Sequence, residues 1–271
     1  MRILVHGGAV LAGTLARFLF PPVCAGCGGA VSSADAVCPQ CWLALTFIER
    51  PYCEALGLPF AYDLGKGFLS AEAIAEPPPF ERLRAAVLYG DLARHLVASL
   101  KYRDRTDLVP LMAGWMDRAG TELLAEADCI VPVPLHRRRL WRRRFNQSAE
   151  LGRRLAALDA ARGGRLVHAP RALVRVKATQ SQVGLTRGQR ETNLKGAFHV
   201  PPARRGEIEG RRVLLVDDVY TTGATAGAAT RALKRAGARA VDVLVFARVA
   251  AGGADGHIVE ETNTGSRRWL T

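Results

Sequence analysis

Three constellations in the 271-residue chain combine residue types and spacings that suit chemistry. The first is a pair of CxxC knuckles, Cys24 and Cys27 in CAGCGG and Cys38 and Cys41 in CPQCW, with ten residues between the pairs. Each knuckle can aim two thiolates at one ion, and two knuckles complete a tetrahedral four-sulfur site for Zn²⁺. Four thiolates leave no open coordination position, so the ion is expected to be structural, and a ribbon this short is expected to fold only around it. Two disulfides are the rival use of these cysteines, and a cytoplasmic setting argues against them. Of the remaining two cysteines, Cys129 opens an apolar run and reads as core.

The second constellation is VLLVDDVYTTGATAGAAT, residues 213–230. A buried parallel strand ending at Val216 puts Asp217 and Asp218 at its carboxyl edge, where open α/β sheets bind ligands. Thr221, Thr222, Gly223, Ala224 and Thr225 then lead into a helix. Such a turn offers free backbone N–H groups and the positive end of the helix dipole. The threonine hydroxyls add donors, and Gly223 allows close backbone approach. That cradle fits one phosphate. The two carboxylates cannot bind the phosphate but accept hydrogen bonds from sugar hydroxyls, so a phosphate next to a ribose is the natural ligand. The acidic motif of a nucleotide hydrolase is a rival, but it requires GxxxxGK[ST] upstream. Gly8 and Gly13 have that spacing, yet Thr14 stands where the lysine must be, and there is no GxGxxG. An ordinary polar turn is the bland alternative.

The third is HRRRLWRRR, residues 136–144, with six arginines. Arg139 and Arg143 are four apart and share a face on a helix. Beside a diphosphate site their forks could bind phosphate oxygens bidentately. Trp141 among them could instead stack on a base, as in single-strand binders. A solvated basic face with Trp141 packed is the third reading, and all three stay open. Lys101, in SLKYRD, is a further candidate for the diphosphate.

These residues need a scaffold, and the periodicity supplies one. Strands are expected at 85–89, 130–133, 172–176, 213–216 and 241–246. Helices are expected at 91–102, 107–125, 146–158 and 224–235, the last closed by Gly237. Their alternation implies a parallel sheet covered on both faces. Residues 20–58 are turn-rich, 59–80 with Pro77-Pro78-Pro79 read as a connector, and 251–271 as a loose polar tail. The chain is 49% hydrophobic, enough for a core without disulfides. A net charge of +13 favours phosphates, nucleic acid or acidic lipid without choosing among them. In the first twenty residues Arg2, His6, Arg17 and three glycines interrupt the apolar run, and no A-x-A cleavage site follows. A packed amphipathic lead-in is expected, with no stable membrane insertion and a cytoplasmic location.

The 213–225 stretch resembles the phosphoribosyl pyrophosphate signature of type I phosphoribosyltransferases. From the ribbon to about Val249 the chain is similar to the ComF family of competence-associated phosphoribosyltransferase-like proteins. VPVPLHRRR, residues 131–139, resembles that family's loop after the second strand, which faces the pyrophosphate. RRRFNQSAEL follows where the family reads R-G-F-N-Q. Residues 175–198 resemble its hood, with Arg190, Asn193 and Phe198 on the spaced R, N and F.

The resemblance implies a type I phosphoribosyltransferase fold, a parallel α/β sheet flanked by helices with a hood, plus a small N-terminal zinc ribbon. It implies that Asp217 and Asp218 hold the ribose hydroxyls, that residues 221–225 hold the 5′-phosphate, and that Val133, Pro134, Arg139, Arg143 and Lys101 lie on the pyrophosphate side. The expected units are 1–60 lead-in and ribbon, 61–82 connector, 83–250 phosphoribosyltransferase-like domain and 251–271 tail. The implied function is binding of phosphoribosyl pyrophosphate with Mg²⁺ and transfer of the phosphoribosyl group to a nitrogenous acceptor. The alternative is a non-catalytic module for a nucleotide or single-stranded DNA, working with DNA-uptake or processing proteins.

Two departures stand out. Arg144 replaces the family glycine. CEALGLPFAYDLGKG keeps only Cys53 of a second cysteine set, with Leu56 where the next cysteine would be. A second zinc is therefore not expected, and apolar packing is expected in its place.

Overall fold

Continuous apolar runs at 213–216 and 243–247 cannot sit at a surface, and they form the centre of a parallel sheet. The computed structural model describes residues 21–65, 67–177 and 194–250. The expectations for the lead-in, Arg190, Asn193 and the tail lie outside these residues. In chain order the elements are α1 (Pro39–Leu43), α2 (Ala71–Ala75), β1 (Leu83–Leu88), α3 (Asp91–Tyr102), α4 (Val109–Ala119), α5 (Thr121–Glu126), β2 (Cys129–Pro132), α6 (Arg137–Arg143), α7 (Gln147–Ala161), β3 (Val167–His168), β4 (Val174–Arg175), β5 (Phe198–His199), β6 (Arg212–Tyr220), α8 (Ala224–Arg235) and β7 (Ala240–Arg248).

The main sheet has the order β1-β7-β6-β2-β3, all parallel. Every residue of β7 is buried, as expected of a strand covered on both faces. One face packs on an apolar cluster that includes Leu96, Met112, Met116, Leu151 and Phe246, supplied mainly by α3, α4 and α7. The other packs on the small residues of α8 and on Leu56, Leu58 and Phe80 from the N-terminal region.

The ribbon is part of this body. Residues 46–48 run antiparallel beside β1, with Leu88 N donating to Thr46 O at 2.8 Å and Ile48 N to Ala86 O at 3.0 Å. They cover an edge that would otherwise present unpaired backbone groups. Buried Arg84 adds ion pairs to Glu54 at 2.7 Å and Glu122 at 2.6 Å.

Three expectations change. The strand at 172–176 is only β4, paired antiparallel with β5 outside the main sheet. The outer parallel position goes to β3, whose two residues carry no apolar run and whose Val167 is 47% exposed. The helix at 107–125 is divided: a 3-10 turn precedes α4, and Gly120 separates α4 from α5. A Cβ at Gly120 would press on the Leu244 side chain, so the break lets this corner sit close to the sheet. Finally, β6 does not end at Val216. It continues to Tyr220 because β7 runs on beside it, with Asp217 opposite Val245 and Tyr220 opposite Arg248.

Candidate functional site

The acidic pair lies where β6 outlasts its other neighbour. The last link to β2 is Val133 N donating to Val216 O at 2.9 Å. Past it, Asp217 and Asp218 meet the start of α7. Asn146 caps that helix: its Oδ1 accepts from Ser148 N at 3.2 Å, while its Nδ2 donates to Val133 O at 3.0 Å. The cap fixes the first turn against the end of β2. Gln147 Nε2 can then donate to Asp218 Oδ2 at 3.0 Å, and Ser148 Oγ to Asp217 Oδ1 at 2.9 Å. The Asp218 amide also donates to Asp217 Oδ1 at 2.9 Å. Asp217 Oδ2 accepts no hydrogen bond among the described residues.

Lys101, in the last turn of α3, places Nζ 2.9 Å from Asp218 Oδ2. Burial opposes its charge, but Asp218 outweighs that and holds the ammonium above its usual range. Asp218 is 4% exposed. Burial, reinforced by the neighbouring charge of Asp218, pushes the Asp217 carboxyl up to about 7, against the pull of Lys101, the Asp218 amide and Ser148.

The turn after β6 brings the cradle alongside. Gly223 is the N-cap of α8 at φ +78°, and a Cβ there would collide with the Tyr220 hydroxyl. Both facts require glycine. No side chain caps the helix at this residue. Thr222 Oγ1 is buried without a hydrogen-bond partner among the described residues. An uncapped helix start beside an orphaned hydroxyl is an arrangement that an anion would satisfy. Ala224 is buried, while Thr221 and Thr225 are half-buried on the same turn.

The basic helix α6 has two faces. Arg139 and Arg143 are half-buried, whereas Arg137, Arg138, Arg142 and Arg144 are exposed. Arg143 Nη2 donates to the Tyr102 hydroxyl at 3.0 Å, and its guanidinium lies 4.9 Å over that ring. It is close enough for its charge to act on Lys101. Burial draws Arg175 down to about 10, with the charge of Arg139 adding to the effect and Asp217 opposing it. The charge of Arg139 thus acts on Arg175, and that of Arg143 on Lys101, the two cations that also feel Asp217. Trp141 is 89% exposed, so the reading of this residue as packing is not met. Val133 and Pro134 contribute backbone: both the N–H and the C=O of Val133 are engaged, and Pro134 is half-buried beside it. Arg144 adopts φ +62°, ψ −27°, the left-handed region that glycine enters at least cost. Arg144 thus takes up a conformation that a glycine at this position would enter more cheaply.

The sulfur atoms of Cys24, Cys27, Cys38 and Cys41 all lie within 4.8 Å of one another. Cys27 and Cys38 are separated by 3.7 Å. A zinc tetrahedron with bonds of about 2.3 Å has edges of about 3.8 Å, so the four thiols fit the ion. Buried Cys129 has its thiol pushed up to about 11 by burial, as befits core.

A phosphoribosyl transferase domain model matches residues 151–259, and a double zinc ribbon domain model matches residues 15–73. The DNA utilization protein YhgH of Escherichia coli is 31% identical over 234 residues, covering 83% of this chain and 90% of its own. Competence protein F of Haemophilus influenzae is 30% identical over 232 residues, covering 83% and 96%. The chain belongs to the ComF family. Within it, a 50-residue segment is 50% identical to the adenine phosphoribosyltransferase of Mycobacterium marinum, over 18% of this chain and 27% of that protein.

As a ComF protein the chain departs from the double ribbon in one way. Among the described residues a single four-cysteine cluster is present. The second knuckle survives in outline. Cys24 N donates to Gly29 O and Gly28 N to Cys24 O; correspondingly, Cys53 N donates to Leu58 O and Gly57 N to Cys53 O. Bridges Val23–Ala30 and Tyr52–Pro59 close the two loops alike. Leu56, 3% exposed, stands where Cys27 stands in the first loop, so apolar packing has taken over from a metal. The segment RFNQS also holds roles the sequence did not disclose: Gln147 and Ser148 donate to the acidic pair, and Asn146 caps the helix that presents them.

Proposed function

We propose that the protein binds phosphoribosyl pyrophosphate and transfers its phosphoribosyl group to a nitrogenous acceptor. One observation carries this reading: the orphaned Thr222 hydroxyl at an uncapped helix start lies on the same strand–helix turn as a carboxyl pair held by Gln147, Ser148 and Lys101. The 5′-phosphate would take the cradle at 221–225, and the ribose hydroxyls would donate to Asp217 and Asp218. In the reaction the acceptor nitrogen forms a bond to the anomeric carbon, the carbon–oxygen bond breaks, and its electron pair leaves with the diphosphate. The acceptor's proton passes to solvent. Arg139 and Arg143 would stabilise the departing charge from the half-buried face of α6. Mg²⁺, when bound, would neutralise the diphosphate, and the open oxygen of Asp217 would be the protein's candidate ligand for it. No helix among the described residues is long and apolar enough to cross a membrane. A cytoplasmic location belongs to the same proposal, because a four-thiolate zinc site calls for reduced cysteines.

A second reading rests on Trp141. An indole 89% exposed among arginines suits stacking on single-stranded DNA, and the names of the two relatives concern competence and DNA utilization. Partners in DNA uptake or processing follow from that reading. The deciding experiment gives the purified protein labelled phosphoribosyl pyrophosphate, Mg²⁺ and a panel of nitrogenous bases. Base-dependent release of pyrophosphate is expected. Binding without release against every base would favour the module reading.

A further inference from the structure

The phosphate cradle rests on contacts that begin in the ribbon. The metal-free second knuckle presents the Leu56 carbonyl to Arg248, whose Nη1 donates to it. Arg248 is the last residue of β7 and is 2% exposed. No ion pair joins it to a carboxylate among the described residues. A guanidinium is costly to bury on those terms, and its burial calls for a reason.

Its neighbours supply one. The Arg248 guanidinium lies 5.5 Å over the ring of Tyr220, which faces it across the strand register, and Val249 N donates to Tyr220 O at 2.9 Å. Tyr220 also packs edge-on against Phe80, with centroids 6.2 Å apart. Its hydroxyl then lies so close beneath Gly223 that no Cβ fits between them. Leu56, Arg248, Tyr220 and Gly223 thus form one continuous stack from the ribbon to the start of α8. The knuckle end is itself clamped: Gly57, at φ +57°, sits where a Cβ would strike the Leu83 carbonyl. Cys53 Sγ accepts from Leu56 N at 3.4 Å and Ser70 N at 3.2 Å. The second knuckle is therefore a platform fixed by backbone and Cys53 contacts.

We propose that Arg248 is a positioning residue, through which the metal-free second knuckle sets the height of the phosphate cradle by way of Tyr220. The ligand half of this inference rests on the reading above; the coupling half does not.

Two variants test it: Arg248→Lys, which keeps the charge and loses the fork, and Tyr220→Phe, which removes only the hydroxyl beneath Gly223. Hydrogen–deuterium exchange on the unliganded protein should show faster uptake across 221–227, with 213–218 and the start of α7 unchanged. Ribose 5-phosphate should bind about tenfold more weakly, since small misplacements of a preorganised site are costly. Inorganic pyrophosphate with Mg²⁺ should bind within about twofold of wild type, a split that general destabilisation would not produce. Unchanged uptake at 221–227 in both variants, or uptake raised throughout the sheet, overturns the proposal. If wild type binds neither ligand, the functional reading fails, and the exchange experiment still decides the coupling.

Discussion

Lys101 Nζ stands 2.9 Å from Asp218 Oδ2, so the acidic pair carries its own counter-ion before any ligand arrives. Two adjacent buried carboxylates do not both ionise cheaply. Burial, reinforced by the charge of Asp218, pushes the Asp217 carboxyl up to about 7, and Lys101 pulls it the other way. At neutral pH the Asp217 carboxyl is therefore about half protonated, and Lys101 stands beside Asp218 as a counter-ion. A diphosphate can approach the pair without meeting two bare anions, although Asp217 keeps an oxygen open to a hydroxyl donor.

The titration of Asp217 gives a signed prediction. From pH 6 to 8 its carboxyl changes from mostly protonated to mostly ionised, so affinity for ribose 5-phosphate should rise across that interval. The ligand's own phosphate titrates near pH 6, so the readout is the difference between wild-type and Asp217→Asn profiles by calorimetry. The variant should bind about tenfold to a hundredfold more weakly at pH 8, from roughly 1.5–3 kcal/mol for a hydrogen bond to a charged group. Stability should move the other way. The folded-state pKa exceeds the ordinary value of about 4, so the native state holds the extra proton, and this group's contribution to stability falls as pH rises from about 4 to 7. Asp217→Asn should therefore keep or raise the melting temperature at pH 8. A lower melting temperature there would mean that the carboxylate is structural.

What the sequence disclosed was local. Residues 213–225 are legible because the apolar run, the acids and the glycine turn each act over a few neighbours, and the helices at 91–102 and 224–235 have the expected bounds. What it hid depends on the fold. Nothing near Lys101 says that it will meet Asp218, because α3 and β6 are far apart in sequence. The continuation of β6 to Tyr220 depends on β7 as a partner. The retained shape of the second knuckle lies in backbone hydrogen bonds, which the loss of a cysteine leaves intact.

Metal content separates the two knuckles. Protein purified without chelator should contain close to one equivalent of zinc by elemental analysis. Cys24→Ser or Cys41→Ser should lose it, because three thiolates no longer close the tetrahedron. Cys53→Ser should retain it, because its sulfur accepts amide hydrogen bonds from Leu56 and Ser70 and lies outside the four-cysteine cluster. Two equivalents in wild type, or zinc lost from Cys53→Ser, would show the second knuckle still binding metal.

The two faces of α6 allow its competing roles to be separated. Arg139 and Arg143 are half-buried, the latter against Tyr102, whereas Arg138, Trp141 and Arg142 face solvent. Arg139→Ala with Arg143→Ala should weaken phosphoribosyl pyrophosphate more than ribose 5-phosphate, because only the former brings a diphosphate to be neutralised. Arg138→Ala, Trp141→Ala and Arg142→Ala together should leave both ligands unchanged. If the outer face binds single-stranded DNA, that triple change should lower the affinity and flatten its salt dependence by up to about 0.7 in slope for each phosphate no longer neutralised. Loss of Trp141 alone should then cost about 1–3 kcal/mol with the salt slope preserved, because stacking releases no counter-ions. Filter binding of a labelled oligonucleotide across a salt series reads both quantities. If neither set of changes affects its assigned ligand, α6 is a solvated basic face, and the departing diphosphate must be stabilised from elsewhere at the sheet edge.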